Sequence, residues 1–501
     1  MAAQGVDDMK TKVVRGRGMQ RRFAGLTLMA ALLGGCGAFK PVELPAAAPP
    51  FQAPAAWSVR PPASLDAATP AALAAWWRRF NDPLLERLVL RAQASNTSIA
   101  VAQAALQQAR ALRDRAAAGL STTVIGNAQA QRSKLDGSSP VSSYNVGFDA
   151  SWEPDVFGAN RHALAAGEAT LQASVVSLAD TQVSVAAEVA RTYIELRGAQ
   201  ARLEIARANL ASQQSTLQIT SWRTQAGLLT SLEEQQAITA AEQAAAQLPV
   251  LETSAAQLAH SLAVLCGQPP AALDAELAAP AAIPAADPAL AISLPAATLR
   301  QRPDVRTAEY RLAAARAQVA QADAARYPVF RLEGSLGLSG IGVGGTGSTL
   351  LRALLGSVTG TALDGGASLA LLRQQQGALA EAQANYQAAL LAALSDVEDT
   401  LAALAGDRTR LDHLRQAAAA ADSAALLARQ RYASGLVDYQ TVLETQRALY
   451  ASQDSQAATS ADLGTDLVRL YKALGGGWQA DAVAPQPLGG TAAASLGGLT
   501  P

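Results

Sequence analysis

The sequence predicts a mainly α-helical protein with a small β part, built from two copies of one plan. Three observations support this fold class. Leu171, Val175 and Leu178 begin a heptad pattern of apolar residues that marks one long helix, opening at Gly158. The same pattern recurs 208 residues later, behind Gly366. A strand-like segment of alternating polarity precedes each long helix.

The N-terminus is typical of an export signal. Arg21 and Arg22 precede a short apolar run that ends at Leu33, too short for a permanent membrane helix. We therefore predict that residues 1–35 are a signal peptide, with Met9 or Met19 as alternative starts.

Cys36 follows Gly34-Gly35 directly, which resembles the bacterial lipoprotein signal. That resemblance implies that Cys36 is lipidated and becomes the first residue of the mature chain. Gly37 in the next position favours the outer membrane over the inner one. The alternative is an ordinary signal peptide with an incidental cysteine.

Composition shifts divide the rest of the chain into repeats and connecting segments. Proline and alanine dominate the first segment and the linker, and alanine, glycine and proline dominate the tail. The predicted divisions are a lipid-anchored tether (36–75), a first repeat (76–267), an inter-repeat linker (268–295), a second repeat (296–479) and a disordered tail (480–501).

The first repeat opens with a helix that begins at Asp82-Pro83, a good start signal, and runs to about Ala118. Two strands follow around a turn at residues 134–140. The second strand alternates apolar and polar residues from Tyr144 to Trp152. Next come the long helix from Gly158 to about Thr224, a turn at Gly227, and a helix over 230–266.

The second repeat follows the same order. A helix begins at Arg302-Pro303 and runs to about residue 326, and a strand covers 330–338. The returning strand is poorly patterned, and we expect it near 354–362. The second long helix spans about 366–432, Gly435 closes it, and a last helix covers about 437–474.

The alternation of the strands fits either the core of a soluble sandwich or an outer-membrane barrel that turns its apolar face to lipid. Four strands cannot sit in lipid as an open sheet, because the edge N–H and C=O groups would lack partners. Two copies would give about eight strands and a filled interior, whereas three copies would give about twelve and leave a lumen. A trimer is the favoured arrangement.

Six motifs resemble the outer-membrane factors of tripartite efflux systems, the TolC-type family, and within it the lipoprotein branch typified by OprM and NodT. They keep the family's order between residues 76 and 479. They are Trp76–Leu84, Trp152–Gly158, Arg302–Asp304, Leu363–Gly366, Arg431–Leu436 and Tyr471–Trp478.

The resemblance implies a homotrimer that combines an α-helical barrel with a 12-stranded transmembrane β-barrel, about four strands from each chain. It implies an exit duct in the cell outer membrane that extends into the periplasm. Its partners would be outer-membrane lipid, a periplasmic adaptor and an inner-membrane pump of the resistance–nodulation–division (RND) type. The duct would passively conduct small toxic compounds such as drugs, dyes or metal ions.

The resemblance also implies roles for residues where the helices reverse. The tips that meet the adaptor correspond to Gly227, Leu228, Gly435 and Leu436. The simpler interpretation of each glycine is a turn that needs a positive φ.

A closed aperture lies just beyond the tips in the family. The matching residues are Glu233, Glu444 and Arg447. Glu444 and Arg447 are three residues apart, so a solvated ion pair on one helix face is the alternative.

Other classes of function find little support. The net charge of −1 gives no electrostatic reason to bind nucleic acid. The segment 340–345 matches a dinucleotide-binding glycine pattern, but no βαβ unit surrounds it. His162, His260 and His413 lack metal-ligand spacing. We therefore expect no enzymatic activity, no cofactor and no metal.

Two alternative functions stay open at this point. One is the duct of a type I protein-secretion system. The other is a structural lipoprotein that spans the envelope, for which the helices would serve as a spacer.

Overall fold

The computed structural model describes residues 54–58, 73–134, 136–137, 139–285, 295–341, 348–361 and 363–478. The predicted signal peptide, Cys36, most of the tether and the tail lie outside these ranges. The chain divides into two compact units. Among the described residues, the first contains those within 113–167 and 314–381, and the second contains those within 54–112, 168–313 and 382–478.

The first unit contains one antiparallel sheet, in which each strand pairs with its neighbour in sequence. The described strands are β1 (Thr123–Ser133), β2 (Val141–Trp152), β3 (Val329–Ile341) and β4 (Ser348–Thr359).

The fourth strand differs from the expectation. The sequence indicated a strand near 354–362, but β4 begins at Ser348, which pairs with Gly340. Leu351 and Leu355 break the alternation of polarity, so the sequence pattern is weak there. Pairing along the whole length of β3 fixes the bounds instead.

The register separates apolar from polar side chains. Val146 pairs with Leu338, and Phe148 pairs with Leu336. Phe148 is 62 % exposed in the single chain. The opposite face carries polar side chains such as Asp149. One face of the sheet is thus apolar and solvent-exposed in the isolated protomer.

The helices keep the order that the sequence indicated. None of the described helices combines the length and the apolar character needed to cross a membrane. The described α-helices are α1 (Pro83–Ser95), α2 (Thr97–Ala118), α3 (Ala159–Gln225), α4 (Ser231–Leu265), α5 (Asp274–Leu277), α6 (Pro295–Gln301), α7 (Pro303–Ala324), α8 (Ala367–Ala433) and α9 (Tyr439–Ala473).

The duplication is visible in the helix lengths. The long helices α3 and α8 each have 67 residues, and α4 and α9 each have 35. Each pair begins 208 residues apart, the offset that the sequence indicated. A helix of 67 residues is about 100 Å long at 1.5 Å per residue.

The sequence suggested one continuous helix from Asp82-Pro83 to about Ala118. In the structure this segment breaks into two helices at Asn96. The Asn96 side chain accepts a hydrogen bond from the Ser98 N–H at 2.8 Å and donates one to the Leu265 carbonyl at 2.8 Å. The first bond caps α2, because an asparagine oxygen satisfies an unpaired N–H of the first turn. Asn96 therefore ends α1, starts α2 and ties both to the end of α4.

The core of the second unit forms around the middle of α3. The Trp76 ring, which is fully buried, stacks on Tyr471 with 5.1 Å between ring centroids. Tyr193 and Ile194 of α3 pack in the same cluster. Trp57, from the tether, packs against the cluster, and Ser58 N–H donates to Glu398 Oε1 at 2.8 Å. The aromatic residues of the Trp76–Leu84 and Tyr471–Trp478 motifs therefore belong to the hydrophobic core.

Candidate functional site at the helical tips

Two matching reversals end the long helices. Gly227 has φ +71° and Gly435 has φ +76°, a left-handed conformation that favours glycine. Leu228 N–H donates to the Arg223 carbonyl at 2.8 Å, and Leu436 N–H donates to the Arg431 carbonyl at the same distance. These bonds satisfy carbonyls that the helix end leaves free. The two repeats therefore end in the same capping motif.

The tips also expose apolar side chains. The side chains of Leu228 and Leu436 are large and apolar, yet they are 72 % and 74 % exposed to solvent. A groove of about 490 Å³ lies between the two tips. Leu228, Glu233 and Gly435 line it together with Tyr439 and Gln440. The structure thus brings residues of both predicted tips to one groove.

Tyr432 holds the two long helices together beside this groove. Its hydroxyl lies 2.8 Å from Thr220 Oγ1, and the Arg223 guanidinium lies 4.7 Å from its ring centroid. Arg223 also donates to the Ala433 carbonyl at 3.2 Å. A cation over an aromatic face and a buried hydroxyl pair both favour this one alignment of α3 and α8. Sequence reasoning missed this contact, although Tyr432 stands inside the Arg431–Leu436 motif.

Gln446 makes a similar link from α9. Its amide donates to Ser212 Oγ and Thr216 Oγ1, both at 3.0 Å, and the residue is 3 % exposed. The amide nitrogen is thus satisfied by two hydroxyls, while the Gln446 Oε1 atom is buried without a hydrogen-bond partner among the described residues. Gln446 therefore joins α9 to α3 about two turns into α9.

Glu233 takes part in a helix cap. Its carboxylate accepts hydrogen bonds from the backbone N–H of Thr230, at 3.1 Å, and from the Thr230 hydroxyl. Together with the Thr230 cap this forms a capping box at the start of α4. The Thr230 hydroxyl lowers the pKa of Glu233 below its usual value. Glu233 is thus ionised and held at the groove.

Glu444 and Arg447 lie on the exposed face of α9. Glu444 Oε1 accepts a hydrogen bond from Gln440 Nε2 at 3.0 Å. Across the described ranges no ion pair joins Glu444 to Arg447.

The structure describes one of the two cysteines. Cys36, the predicted lipidation site, lies outside the described residues. Cys266 is fully buried, and its thiol lies 3.6 Å from the Leu88 carbonyl. Burial raises the pKa of the Cys266 thiol, so it packs as a small apolar group.

Comparison with known proteins identifies the family. The model of the family described as "Outer membrane efflux protein" matches residues 88–268 and 294–476, more than half of the chain. The pyoverdine export outer membrane protein OpmQ of Pseudomonas aeruginosa is 31 % identical over 91 % of this chain and 97 % of its own. Nodulation protein T of Rhizobium leguminosarum bv. viciae is 30 % identical over 85 % of this chain and 88 % of its own.

A solved structure agrees. The outer-membrane channel OprN superposes with a TM-score of 0.77 at 32 % identity, covering 86 % of this chain and 99 % of that one. The family description and the names of OpmQ and OprN refer to efflux, export and an outer-membrane channel, and none of them describes an enzyme. The mainly helical fold with a small antiparallel sheet matches the TolC-type channels. The predicted function of an outer-membrane efflux duct is confirmed, and the chain belongs to the outer membrane efflux protein family.

Proposed function

We propose that three copies of this chain close a trimeric exit duct for an RND-type tripartite pump. Each copy would give β1–β4 to a 12-stranded transmembrane β-barrel and the helices α3, α4, α8 and α9 to a helical barrel in the periplasm. The duct would passively conduct small toxic compounds from the pump and its adaptor to the exterior.

The two open edges of the sheet carry this proposal. Within the described strands, β1 and β4 each pair on one side only. Unpaired N–H and C=O groups are very costly in lipid, so the edges need partners. Because β1 and β4 run antiparallel, β4 of one copy can pair with β1 of the next. Three copies leave a lumen, whereas the interior of an eight-stranded barrel is filled by side chains.

The tips provide the surface for the adaptor. Leu228 and Leu436 expose apolar area, and Trp222 and Leu232 on the adjoining helices are 59 % and 64 % exposed. Exposed apolar patches of this kind are typical of interaction sites. We assign adaptor docking to Gly227, Leu228, Gly435 and Leu436.

The aperture would form from the charged residues beside the tips. Three-fold symmetry turns Glu233, Glu444 and Arg447 into rings of charge around the axis. Rings of carboxylates favour cations at a constriction and disfavour anions. The hydrogen bond from Gln440 would orient the Glu444 carboxylate within such a ring.

The remaining domain assignments follow the sequence. Residues 1–35 would be removed, Cys36 would carry lipid in the outer membrane, and 36–75 would tether it to the body. The hydrogen bond from Ser58, within the tether, to Glu398 on α8 supports a tether that contacts the helices ahead of residue 76. Residues 268–295 connect the repeats, and 480–501 form the tail. Palmitate labelling of the wild type, lost in Cys36→Ala, tests the anchor.

The cargo is proposed to be small organic molecules. Relatives are named for pyoverdine export and for toluene efflux. Both names refer to small compounds and not to polypeptides, which favours the pump duct over a protein-secretion duct.

The test uses a deletion strain and tip variants. Loss of the gene is expected to lower tolerance to dyes, detergents and antibiotics, and the wild-type chain restores it. Leu228→Asp with Leu436→Asp is expected to reach the membrane at normal level but not to restore tolerance. The matched control, Leu228→Met with Leu436→Met, keeps the apolar surface and restores it.

Unchanged tolerance in the deletion strain would contradict the export function. Chemical cross-linking in the membrane tests the assembly separately. Species no larger than a dimer would exclude the closed trimer.

A further inference from the structure

The apolar face of the sheet carries two arginines. We call it the outward face; alternate residues of each strand form it, among them Val146, Phe148, Leu336, Leu338, Leu350 and Leu354. Arg352 on β4 belongs to this face, because it pairs with Leu336, which in turn pairs with Phe148. Arg132 on β1 belongs to it as well, close to the loop end of the strand.

Neither arginine has an acidic neighbour on this face. The carboxylates within the four strands are those of Asp149 and Glu333, and both lie on the opposite, polar face. Arg331, on the polar face, forms an ion pair with Glu153 at 3.7 Å. Across the described residues no such pair is formed by Arg132 or Arg352. Since β1 itself carries no carboxylate, a neighbouring copy of β1 offers none either.

The topology brings the two arginines to one junction. Here the inference rests on the proposed trimer, in which β4 of one copy pairs with β1 of the next. Both side chains then point outward on adjacent strands, with Lys134 just beyond the end of β1. Every junction around the barrel would present this basic group.

The position along the strand fits the outer leaflet. β1 connects to β2, and β3 to β4, without an intervening helix, so the ends at which these strands connect face the exterior when the helices lie in the periplasm. Arg352 is four residues from Ser348, the loop end of β4. At a tilt of about 45° that is a depth of about 9 Å. A side chain of about 6 Å can reach most of that distance by extending toward the interface.

We propose that each junction binds a phosphate group of a phosphorylated glycolipid of the outer leaflet. A guanidinium that faces hydrocarbon is costly unless it reaches an anion, and this face supplies no carboxylate. Arginine binds phosphate through two parallel hydrogen bonds, and the interaction is stronger beside lipid than in water. Arg352 anchors the phosphate from below, and Arg132 and Lys134 bind it from the neighbouring strand.

Titration of the purified full-length trimer in detergent tests this site. The probes are diphosphoryl lipid A, the same lipid without phosphates, and inorganic phosphate. Diphosphoryl lipid A is expected to bind the wild type at least tenfold more tightly than it binds Arg352→Gln or Arg132→Gln. Arg331→Gln, the matched control on the polar face, is expected to bind like the wild type. The dephosphorylated lipid is expected to bind weakly to every variant.

Three outcomes would overturn the proposal. Wild-type affinity in Arg352→Gln would show that the arginine holds no phosphate. Equal competition by inorganic phosphate would assign the site to free anions instead of lipid. Cross-linking of the same samples distinguishes failure of the trimer from failure of the lipid site. Absence of a trimer would contradict both the proposed duct and the phosphate site. A trimer whose affinity for lipid A does not depend on Arg352 would contradict the phosphate site alone.

Discussion

At the residue scale, Arg302 stabilises the contact of three helices. Its side chain is 9 % exposed and pairs with Asp304 at 2.6 Å and Asp396 at 2.9 Å. It also donates to the Ala473 carbonyl at 3.2 Å. Burial alone would raise the pKa of Asp304, but the Arg302 guanidinium holds it below its usual value. One buried cation thus joins α7 to α8 and α9, which explains why Arg302–Asp304 appears as a motif.

Removal of this cation should be destabilising. Arg302→Ala removes the partner of Asp304 and Asp396, whose side chains are 37 % and 56 % exposed, so water replaces part of the lost interaction and we expect a loss of about 1–3 kcal/mol. Thermal unfolding followed by circular dichroism measures the loss. Arg300→Ala removes an exposed arginine two residues away and is expected to leave the melting temperature within a degree or two. Equal melting temperatures for the two variants would contradict the assignment.

Asp466 gives a second, pH-dependent effect. Its side chain is 4 % exposed and pairs with Arg469 at 3.0 Å. Burial raises the pKa of Asp466 to about 6; Arg469 opposes this, while Asp407 on α8 reinforces it. The folded protein therefore keeps a proton between about pH 4 and 6 that the unfolded chain loses. This carboxyl group makes the fold less stable as pH rises through 6.

Asp466→Asn is expected to remove that dependence. At pH 7.5 the variant should be more stable than the wild type by about 1–3 kcal/mol, because no charge has to be buried. The difference should vanish below about pH 4. Melting temperatures between pH 4 and 8 test this, with Asp422→Asn on the exposed surface of α8 as control. A wild-type pH profile in Asp466→Asn would contradict it.

At the scale of elements, the tips combine strict backbone geometry with open space. A Cβ at Gly227 would meet nothing within 4 Å, and at Gly435 it would meet only Arg223 Nη2 at 3.6 Å. The requirement for glycine is therefore conformational and not steric. A left-handed residue costs about 1 kcal/mol when it carries a side chain, and asparagine tolerates it best.

Gly435→Ala should loosen the second tip. We expect hydrogen exchange at the Leu436 amide, which donates to Arg431, to become about fivefold faster, as a local loss of about 1 kcal/mol requires. Gly435→Asn is the matched control and should exchange at nearly the wild-type rate. Equal exchange in both variants would show that the left-handed conformation is not the constraint.

The elements also show where sequence reasoning succeeds. The long helices and their glycine turns were predictable because heptads and left-handed caps are local signals. The start of β4 was not, because pairing with β3 determines it from outside the local pattern. The break at Asn96 has both a local cause, the cap on Ser98 N–H, and a distant one, the bond to the Leu265 carbonyl. At the site, the Tyr432–Thr220 contact joins residues 212 apart in sequence, and that of Gln446 with Thr216 joins residues 230 apart. No local pattern specifies such pairs.

At the scale of the whole molecule, one chain carries only part of the proposed working structure. The apolar face of its sheet is exposed, and the edges of β1 and β4 have no further strand within the described chain. Both features are unfavourable in an isolated protomer and favourable once copies join in lipid. Folding of the sheet and assembly should therefore be coupled.

The equal lengths of the paired helices restrict how this molecule can change in evolution. Deleting seven residues from α3 alone would draw its tip back by about 10 Å while leaving the heptad phase intact. Tyr432 would then lose Thr220, and the groove at residues 228 and 435 would no longer have two sides. A shorter or longer duct therefore needs matched changes in α3, α4, α8 and α9. The distance that the duct extends from the sheet can therefore change only if both repeats change together.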